Sequence, residues 1–183
     1  MFVYWGKYMQ AKQVETKLNQ ALIDMLVSSG EQLTDSVSAS IVDRGRDVIP
    51  DLIAIMIDDE LAMSDAPGNG SVPIHAVSLL QRLNAVEAAE PMFQVLSRCD
   101  MMDVLYSTLI SALESFGAPI IEIALNAYAI AEDSDQRCAI ASVLAGIHIR
   151  DPRIFSILLH VLQEEVESGA CDLGEYGDPA ALP

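Results

Sequence analysis

Apolar residues recur along this chain every three or four positions, the spacing at which side chains lie on one face of an α-helix. The pattern is clearest in Leu33, Val37 and Ile41, in Leu52, Ile53, Met56 and Ile57, and in Leu105, Leu109 and Leu113. Strict alternation of apolar and polar residues, which is typical of a β-strand, is almost absent. We therefore predict an all-α protein with about nine helices of roughly 11 to 24 residues.

Residues that favour helix starts and helix breaks divide these stretches. Pro73 suits the first turn of a helix, Asp100 and Ser134 are typical N-cap residues, and Asp151 precedes a proline that can occupy the first helical position. The longest linker is predicted at 62–72, where the sequence Pro-Gly-Asn-Gly interrupts any helix.

The predicted helices come in pairs that resemble one another. Each second helix has an apolar doublet or near-doublet close to a proline, and one residue of each can be taken as equivalent: Leu52, Phe93, Ile121 and Phe155. These positions are 41, 28 and 34 residues apart. Periods of this size predict stacked helical hairpins.

Residues 73–91 (PIHAVSLLQRLNAVEAAEP) and 135–147 (DQRCAIASVLAGI) resemble HEAT repeats of the short variety first described in phycobilisome lyases. In that family an acidic residue and an arginine near the start of the first helix often form a ladder between repeats. Asp135 and Arg137 match that pattern, whereas His75 stands where the arginine is often found. The resemblance covers about residues 31–183. It implies an α-solenoid of about four HEAT-like helical hairpins, with residues 1–30 as an N-terminal helix that packs on or caps the solenoid.

The charge of the chain is strongly negative and unevenly distributed. The 183 residues include 27 acidic and 10 basic side chains, a formal net charge of −17, and the lysines are confined to Lys7, Lys12 and Lys17. Association with nucleic acid or anionic lipid depends mainly on Lys and Arg that displace counterions. We therefore expect neither as a partner, and the acidic composition also argues against DNA binding of the kind that HEAT-like alkylpurine glycosylases achieve with basic concave faces.

Cysteine usage and hydropathy point to a cytoplasmic location. Cys99, Cys138 and Cys171 are odd in number and widely spread, which favours reduced thiols over a disulfide framework. The sequence has no uninterrupted run of about 18 apolar residues, and residues 1–12 show no secretory h-region.

Motifs for catalysis, metals or cofactors are not found in the sequence. No His is followed by Glu, so the iron-binding motif of the HEAT-like deoxyhypusine hydroxylases is missing, and no nucleophile elbow is present. The acidic clusters at 58–60 and 132–135 lack the spacing of a calcium loop and are interpreted as solvated turns. His160 and Cys171 supply only two ligands between them, and Cys138 is interpreted as an inert, buried thiol. We expect no enzymatic activity, no metal and no cofactor.

The repeat alignment predicts a polar strip along the second helices. Positions one and five residues after each apolar anchor share a helical stripe. In the first hairpin they are Ile53 and Ile57; in the other three they are Gln94, Arg98, Glu122, Asn126, Ser156 and His160. Because second helices line the concave side of a solenoid, this strip is a candidate docking site for another protein. A solvated face without a ligand is the alternative.

Both ends of the chain carry features of an interaction surface. Phe2, Tyr4, Trp5 and Tyr8 gather four aromatic rings that either cap the first hairpin or anchor a partner. Residues 173–183 resemble the end of a first helix, a turn and the start of a second. We expect this half-repeat to belong to a longer array or to pack on another copy, so self-association is possible at either end.

The sequence therefore predicts a protein interaction module or scaffold in the cytoplasm, built from HEAT-like repeats and without catalytic activity of its own. The alternative is an accessory enzyme or chaperone for a small ligand, of the chromophore-lyase kind. A pocket lined by titratable groups favours the alternative, whereas a long, shallow groove favours the scaffold.

Overall fold

Every regular element of the described chain is helical. A computed structural model describes the backbone of residues 2–177 and the side chains of residues 15–166 and 168–177. Within this part no strand occurs, which confirms the all-α prediction. The α-helices are α1 (Phe2–Val27), α2 (Asp35–Asp43), α3 (Ile49–Ile57), α4 (Val72–Arg82), α5 (Ala89–Leu96), α6 (Val104–Phe116), α7 (Ile121–Ile130), α8 (Ser134–Gly146), α9 (Pro152–Glu164) and α10 (Val166–Tyr176). The predicted range of helix lengths was too narrow, because α5 has 8 residues and α1 has 26.

Two of the four predicted helix starts are confirmed and two are corrected. Pro73 lies in the first turn of α4, and Asp151 caps α9 by accepting the backbone N–H of Arg153 at 2.8 Å. Ser134 is the first residue of α8 rather than its N-cap, since Asp133 precedes it and accepts the Gln136 N–H at 2.8 Å.

Asp100 does not cap a helix either. Its carboxylate accepts the backbone N–H of Met102 at 2.9 Å within a turn, and α6 begins only after Asp103. An aspartate that bonds the backbone two residues further on favours a local turn over a helical start, which explains the error.

Short 3-10 turns lead directly into three of the helices that carry the aligned apolar anchors. They span Gly45–Val48, Val86–Ala88 and Ala118–Ile120, and they precede α3, α5 and α7. The last residue of each turn is fully buried. Three of the aligned anchors, Leu52, Phe93 and Ile121, are buried as well, whereas Phe155 is half-buried. A recurring backbone turn therefore accompanies the recurring apolar doublets, and the sequence pattern did not reveal it.

The chain forms two compact units, Met1–Leu83 and Asn84–Pro183. In the first unit α3 packs against α4, and α1 contacts both α2 and α4. The apolar faces of these helices form a core that includes Leu26, Ile41, Leu52, Met56, Leu79 and Leu80. The predicted boundary between residues 30 and 31 stays a prediction. The four N-terminal aromatic side chains lie outside the described side chains.

The linker at 62–72 is held close to the segment after α1. It includes a 3-10 turn, Pro67–Gly70, in which Gly68 has a φ of 71°. A Cβ atom at Gly68 would lie 2.6 Å from the carbonyl oxygen of Gly30. Asn69 donates a hydrogen bond to Glu31, and Nε2 of His75 lies 3.4 Å from the same Gly30 carbonyl. The linker is therefore an ordered part of the first unit, and glycine is required where the two backbones meet.

In the second unit, helices that are next but one in sequence pack together. Helix α6 packs on α8 and α8 on α10, while α5 packs on α7; α8, α9 and α10 also contact one another consecutively. Fully buried side chains at the centre include Leu109, Leu113, Ile120, Leu144, Ile154 and Leu158. Burial of one such side chain stabilises the fold by about 1.5–3 kcal/mol.

The last described helix is fixed to its neighbour at both ends. A Cβ atom at Gly169, near the start of α10, would overlap the backbone of Leu162 on α9. At the other end, the buried hydroxyl of Tyr176 accepts the backbone N–H of Asp151 at 2.8 Å. The helix predicted to open after this point falls on residues 178–183, which lie outside the described part.

No single helix among the described residues combines the length and apolarity needed to cross a bilayer. The segments Val104–Phe116 and Ala118–Ile130 reach that length only together, and they are bent by 106° relative to each other.

Candidate functional site

Two adjoining cavities open on the surface of the second unit. The first has a volume of about 370 Å³ and lies among α5, α7 and the start of α8. The second has a volume of about 510 Å³ and lies among the turn after α5, Tyr106 of α6 and the start of α8. Ser97 and Gln136 line both, so the two cavities adjoin, and we call them together the groove.

The first cavity has an apolar floor and a polar rim. Phe93 and Ile140, each 6% exposed, form the floor, and Ile123 and Ile130 of α7 add apolar lining. Ile130 is 80% exposed, an unusual position for a large apolar side chain. The rim is formed by Glu90, Gln94, Asn126 and Glu132. This combination offers apolar contact area at the centre and hydrogen-bonding groups at the edge.

The second cavity is more polar. Asp100, Asp133 and Asp135 line it together with Arg98, and Met101, which is 60% exposed, adds an apolar contact. One oxygen each of Asp100 and Asp133 is engaged by the backbone N–H groups already described. These two hydrogen bonds orient the carboxylates of Asp100 and Asp133.

Tyr106 brings a phenol to the wall of the second cavity. Burial raises the pKa of Tyr106, and the negative charges of Cys138, Asp172 and Asp135, when they are ionised, raise it further. The hydroxyl therefore stays protonated at neutral pH and can donate a hydrogen bond.

The structure brings together part of the predicted polar strip. Gln94 of α5 and Asn126 of α7 are both exposed and line the first cavity. Arg98 lies in the turn after α5 and lines the second cavity, because α5 ends at Leu96 and the four-residue helical spacing from Gln94 does not continue.

The other strip residues lie on α7 and α9, outside both cavities. Glu122 forms a salt bridge with Arg153, with 2.8 Å between Oε1 and Nη1. Nδ1 of His160 lies 3.0 Å from the hydroxyl oxygen of Tyr128, and the two rings meet edge to face at 6.5 Å. Ser156 is exposed on α9. Glu122 and His160 thus connect neighbouring helices.

Arg153 is shared between two carboxylates. It pairs with Asp151 at 2.7 Å as well as with Glu122. The side-chain hydrogen bond from Arg153 holds the pKa of Asp151 below its ordinary value, and Asp151 and Glu122 raise the pKa of Arg153 in turn. Arg137, which matched the ladder arginine of HEAT repeats, pairs with Glu164 of α9 at 3.2 Å and donates to the carbonyl of Ala131 at 3.3 Å.

The sequence did not reveal the residues that line both cavities. Ser97 and Gln136 carry no motif, and neither stands at an aligned repeat position. Ile130 has one detectable signal, since it is an apolar residue directly before the Ala-Glu-Asp segment that follows α7. Spacing alone does not show that this residue is exposed beside a cavity.

The thiols and carboxylates form no metal centre in the described part of the chain, since no three His, Cys, Asp or Glu side chains are grouped as a metal site requires. Cys138 is half-buried, and burial raises the pKa of its thiol, as do the negative charges of Glu165, Asp172 and Asp135. The neutral thiol is a poor nucleophile.

The chain matches no protein-family model, no curated protein and no solved structure.

Proposed function

We propose that this protein is a cytoplasmic interaction module made of HEAT-like helical hairpins, and that the groove is the surface on which it receives another protein. The observation that carries the proposal is that Gln94 and Asn126, two residues of the predicted strip, line one cavity with an apolar floor. The cytoplasmic location is supported by the three cysteines, whose odd number and wide spacing favour reduced thiols.

The order of packing in the second unit supports a solenoid. In stacked hairpins, each first helix contacts the first helix of the next hairpin, and second helices do the same. The α6–α8–α10 series and the α5–α7 pair follow this rule. Glu122–Arg153 and Tyr128–His160 extend it from α7 to α9. We extend the same arrangement by proposal to the first unit, where α2 and α4, which are next but one in sequence, also pack together.

The composition of the groove supports protein binding. Interfaces that bind proteins place apolar and aromatic side chains at the centre and polar groups around them. Phe93 and Ile123 supply the centre, and the amides of Gln94 and Asn126 can each donate and accept hydrogen bonds. A segment of a partner could therefore bury apolar surface without leaving its own backbone groups unpaired.

The small-ligand alternative has one supporting observation. The second cavity is lined by several titratable groups: Cys99, Asp100, Tyr106, Asp133 and Asp135. A chaperone or accessory enzyme of the chromophore-lyase kind could use such groups to orient a polar ligand. This remains the second candidate function.

A photo-crosslinking amino acid placed at position 94 or 126 tests the proposed docking surface. The same amino acid at Gln163, which is exposed on α9 and lines neither cavity, is the matched control. In the native cell, we expect positions 94 and 126 to yield the same cross-linked protein, and position 163 to yield none of it. Adding Asn126→Arg to the variant labelled at 94 should abolish that product. Cross-linking that is equal at all three positions would contradict the proposal.

A further inference from the structure

We propose that the partner segment received by the groove carries a lysine or arginine next to a large apolar side chain. This inference rests on the proposed function, because it specifies the chemistry of the partner at the same site. It follows from the distribution of charge and apolar surface along the groove.

Most of the charged side chains that line the groove are carboxylates. Glu90 and Glu132 stand at the rim of the first cavity, and Asp100, Asp133 and Asp135 line the second. Among the residues that line the two cavities, Arg98 is the one basic side chain. The groove therefore attracts a cationic side chain and repels an acidic one.

The apolar floor lies directly beside these carboxylates. Ser97 and Gln136 belong to both cavities, and Glu132 follows closely after the exposed Ile130. A side chain buried over Phe93, beside the exposed Ile130, would thus have acidic groups within reach of neighbouring residues of the partner chain. The volume of the first cavity, about 370 Å³, is within the range of clefts that enclose a ligand group.

The acidic groups can be neutralised without loss of the fold, which makes a clean test possible. Asp133 caps α8, and asparagine is as good an N-cap residue as aspartate. Asp135 is exposed in the first turn of α8. The Asp133→Asn/Asp135→Asn variant therefore removes two charges and keeps the cap. Asp51→Asn/Asp65→Asn, at two exposed positions outside the groove, is the charge-matched control.

The experiment begins with selection of random twelve-residue peptides, displayed on phage, against the full chain at low ionic strength. Selected peptides are synthesised, and their affinity is measured by fluorescence anisotropy against the wild type and each variant. We expect Lys or Arg within about four positions of a Leu, Ile, Phe or Trp. Replacing that basic residue by Glu should weaken binding at least tenfold.

The charge variants provide the second measurement. Asp133→Asn/Asp135→Asn should weaken binding roughly three- to tenfold at low salt, since each exposed charge pair contributes modestly. Binding should also become less sensitive to salt, because fewer charges are screened. The control pair should retain wild-type affinity.

The outcomes separate this inference from the proposed function. Peptides that lose binding with Asn126→Arg but tolerate Lys→Glu would overturn the basic partner and leave the docking surface intact. Peptides that bind Asn126→Arg as well as wild type, or a selection that yields no binder, would overturn both. A dimer in light scattering that Asn126→Arg dissociates would replace the proposed partner by a second copy of this chain.

Discussion

Tyr128 of α7 and His160 of α9 meet through a hydrogen bond of 3.0 Å and an edge-to-face ring contact. The two residues are 32 positions apart in the sequence, on helices α7 and α9. Glu122 and Arg153 form a second contact between the same two helices, a salt bridge of 2.8 Å. The two contacts connect α7 to α9 at two points. The stability of this contact is open to direct measurement.

A double-mutant cycle should detect coupling between Tyr128 and His160. The Tyr128→Phe, His160→Gln and combined variants are compared by urea denaturation at neutral pH. We expect a coupling of about 0.5 kcal/mol, because the hydrogen bond is exposed and water competes for both partners. Strictly additive effects of the two substitutions would show that the contact contributes nothing to folding.

Gly169→Ala should destabilise the second unit strongly. The added methyl group would overlap the backbone of Leu162, which cannot move without displacing α9. We expect a loss of about 2–4 kcal/mol in the free energy of unfolding.

Gly174→Ala is the matched control in the same helix, since nothing lies within 4 Å of a Cβ atom there. It should be neutral or stabilise the protein by up to about 1 kcal/mol, because alanine favours helices more than glycine does. Equal effects of the two substitutions would mean that α9 and α10 do not approach closely at Gly169.

Gly68→Ala makes the corresponding test in the first unit. It combines a left-handed φ of 71° with a clash against the carbonyl of Gly30, and we expect a loss of about 2–4 kcal/mol. Gly45 has a φ of 64° and open space around it, so an alanine there would have the backbone strain without a clash. Gly45→Ala should therefore lose about 1–2 kcal/mol. Thermal and urea denaturation that rank the two variants in the opposite order would exclude the close approach of the linker.

Asp172→Asn should stabilise the protein at neutral pH. Asp172 is 5% exposed, its Oδ1 accepts a hydrogen bond from Ser142 at 3.0 Å, and its buried Oδ2 has no partner among the described residues. Burial raises the pKa of Asp172; the Ser142 hydrogen bond opposes this shift and the charge of Glu175 adds to it. Removing a buried, incompletely paired charge should add about 1 kcal/mol at pH 7.

The pH dependence of that effect follows from its sign. The folded state holds the Asp172 proton more tightly than the unfolded state, so the wild type loses stability as pH rises from the ordinary value of 3.8 through the raised folded pKa. The advantage of Asp172→Asn should therefore shrink as pH falls towards 4. Ser142→Ala should destabilise the protein, and the loss in the free energy of unfolding should be greatest at neutral pH, where Asp172 is ionised. Urea denaturation at several pH values measures both, and a constant loss of stability in Asp172→Asn at every pH would contradict the prediction.

The sequence by itself determined the helical class and much of the helix punctuation. Apolar spacing is a local property, and so are the cap at Asp151 and the first-turn position of Pro73, since each depends on residues within one or two turns. The aligned anchors Leu52, Phe93 and Ile121 were likewise found as buried residues, because a periodic apolar position usually faces a core. Local preference also explains the failure at Asp100, where two local structures compete for one carboxylate.

Only the tertiary structure decided where the candidate site lies. Ser97 and Gln136 are 39 positions apart, and Gln94 and Asn126 are 32 apart, so their convergence depends on how α5, α7 and α8 pack. The sequence placed Arg98 on the strip by assuming that α5 continues, and the end of the helix at Leu96 moved it to the second cavity. The exposure of Ile130 and the burial of Asp172 also depend on how the helices pack. Which neighbour covers a helix face is set by contacts between distant residues, and periodicity along the chain does not encode them.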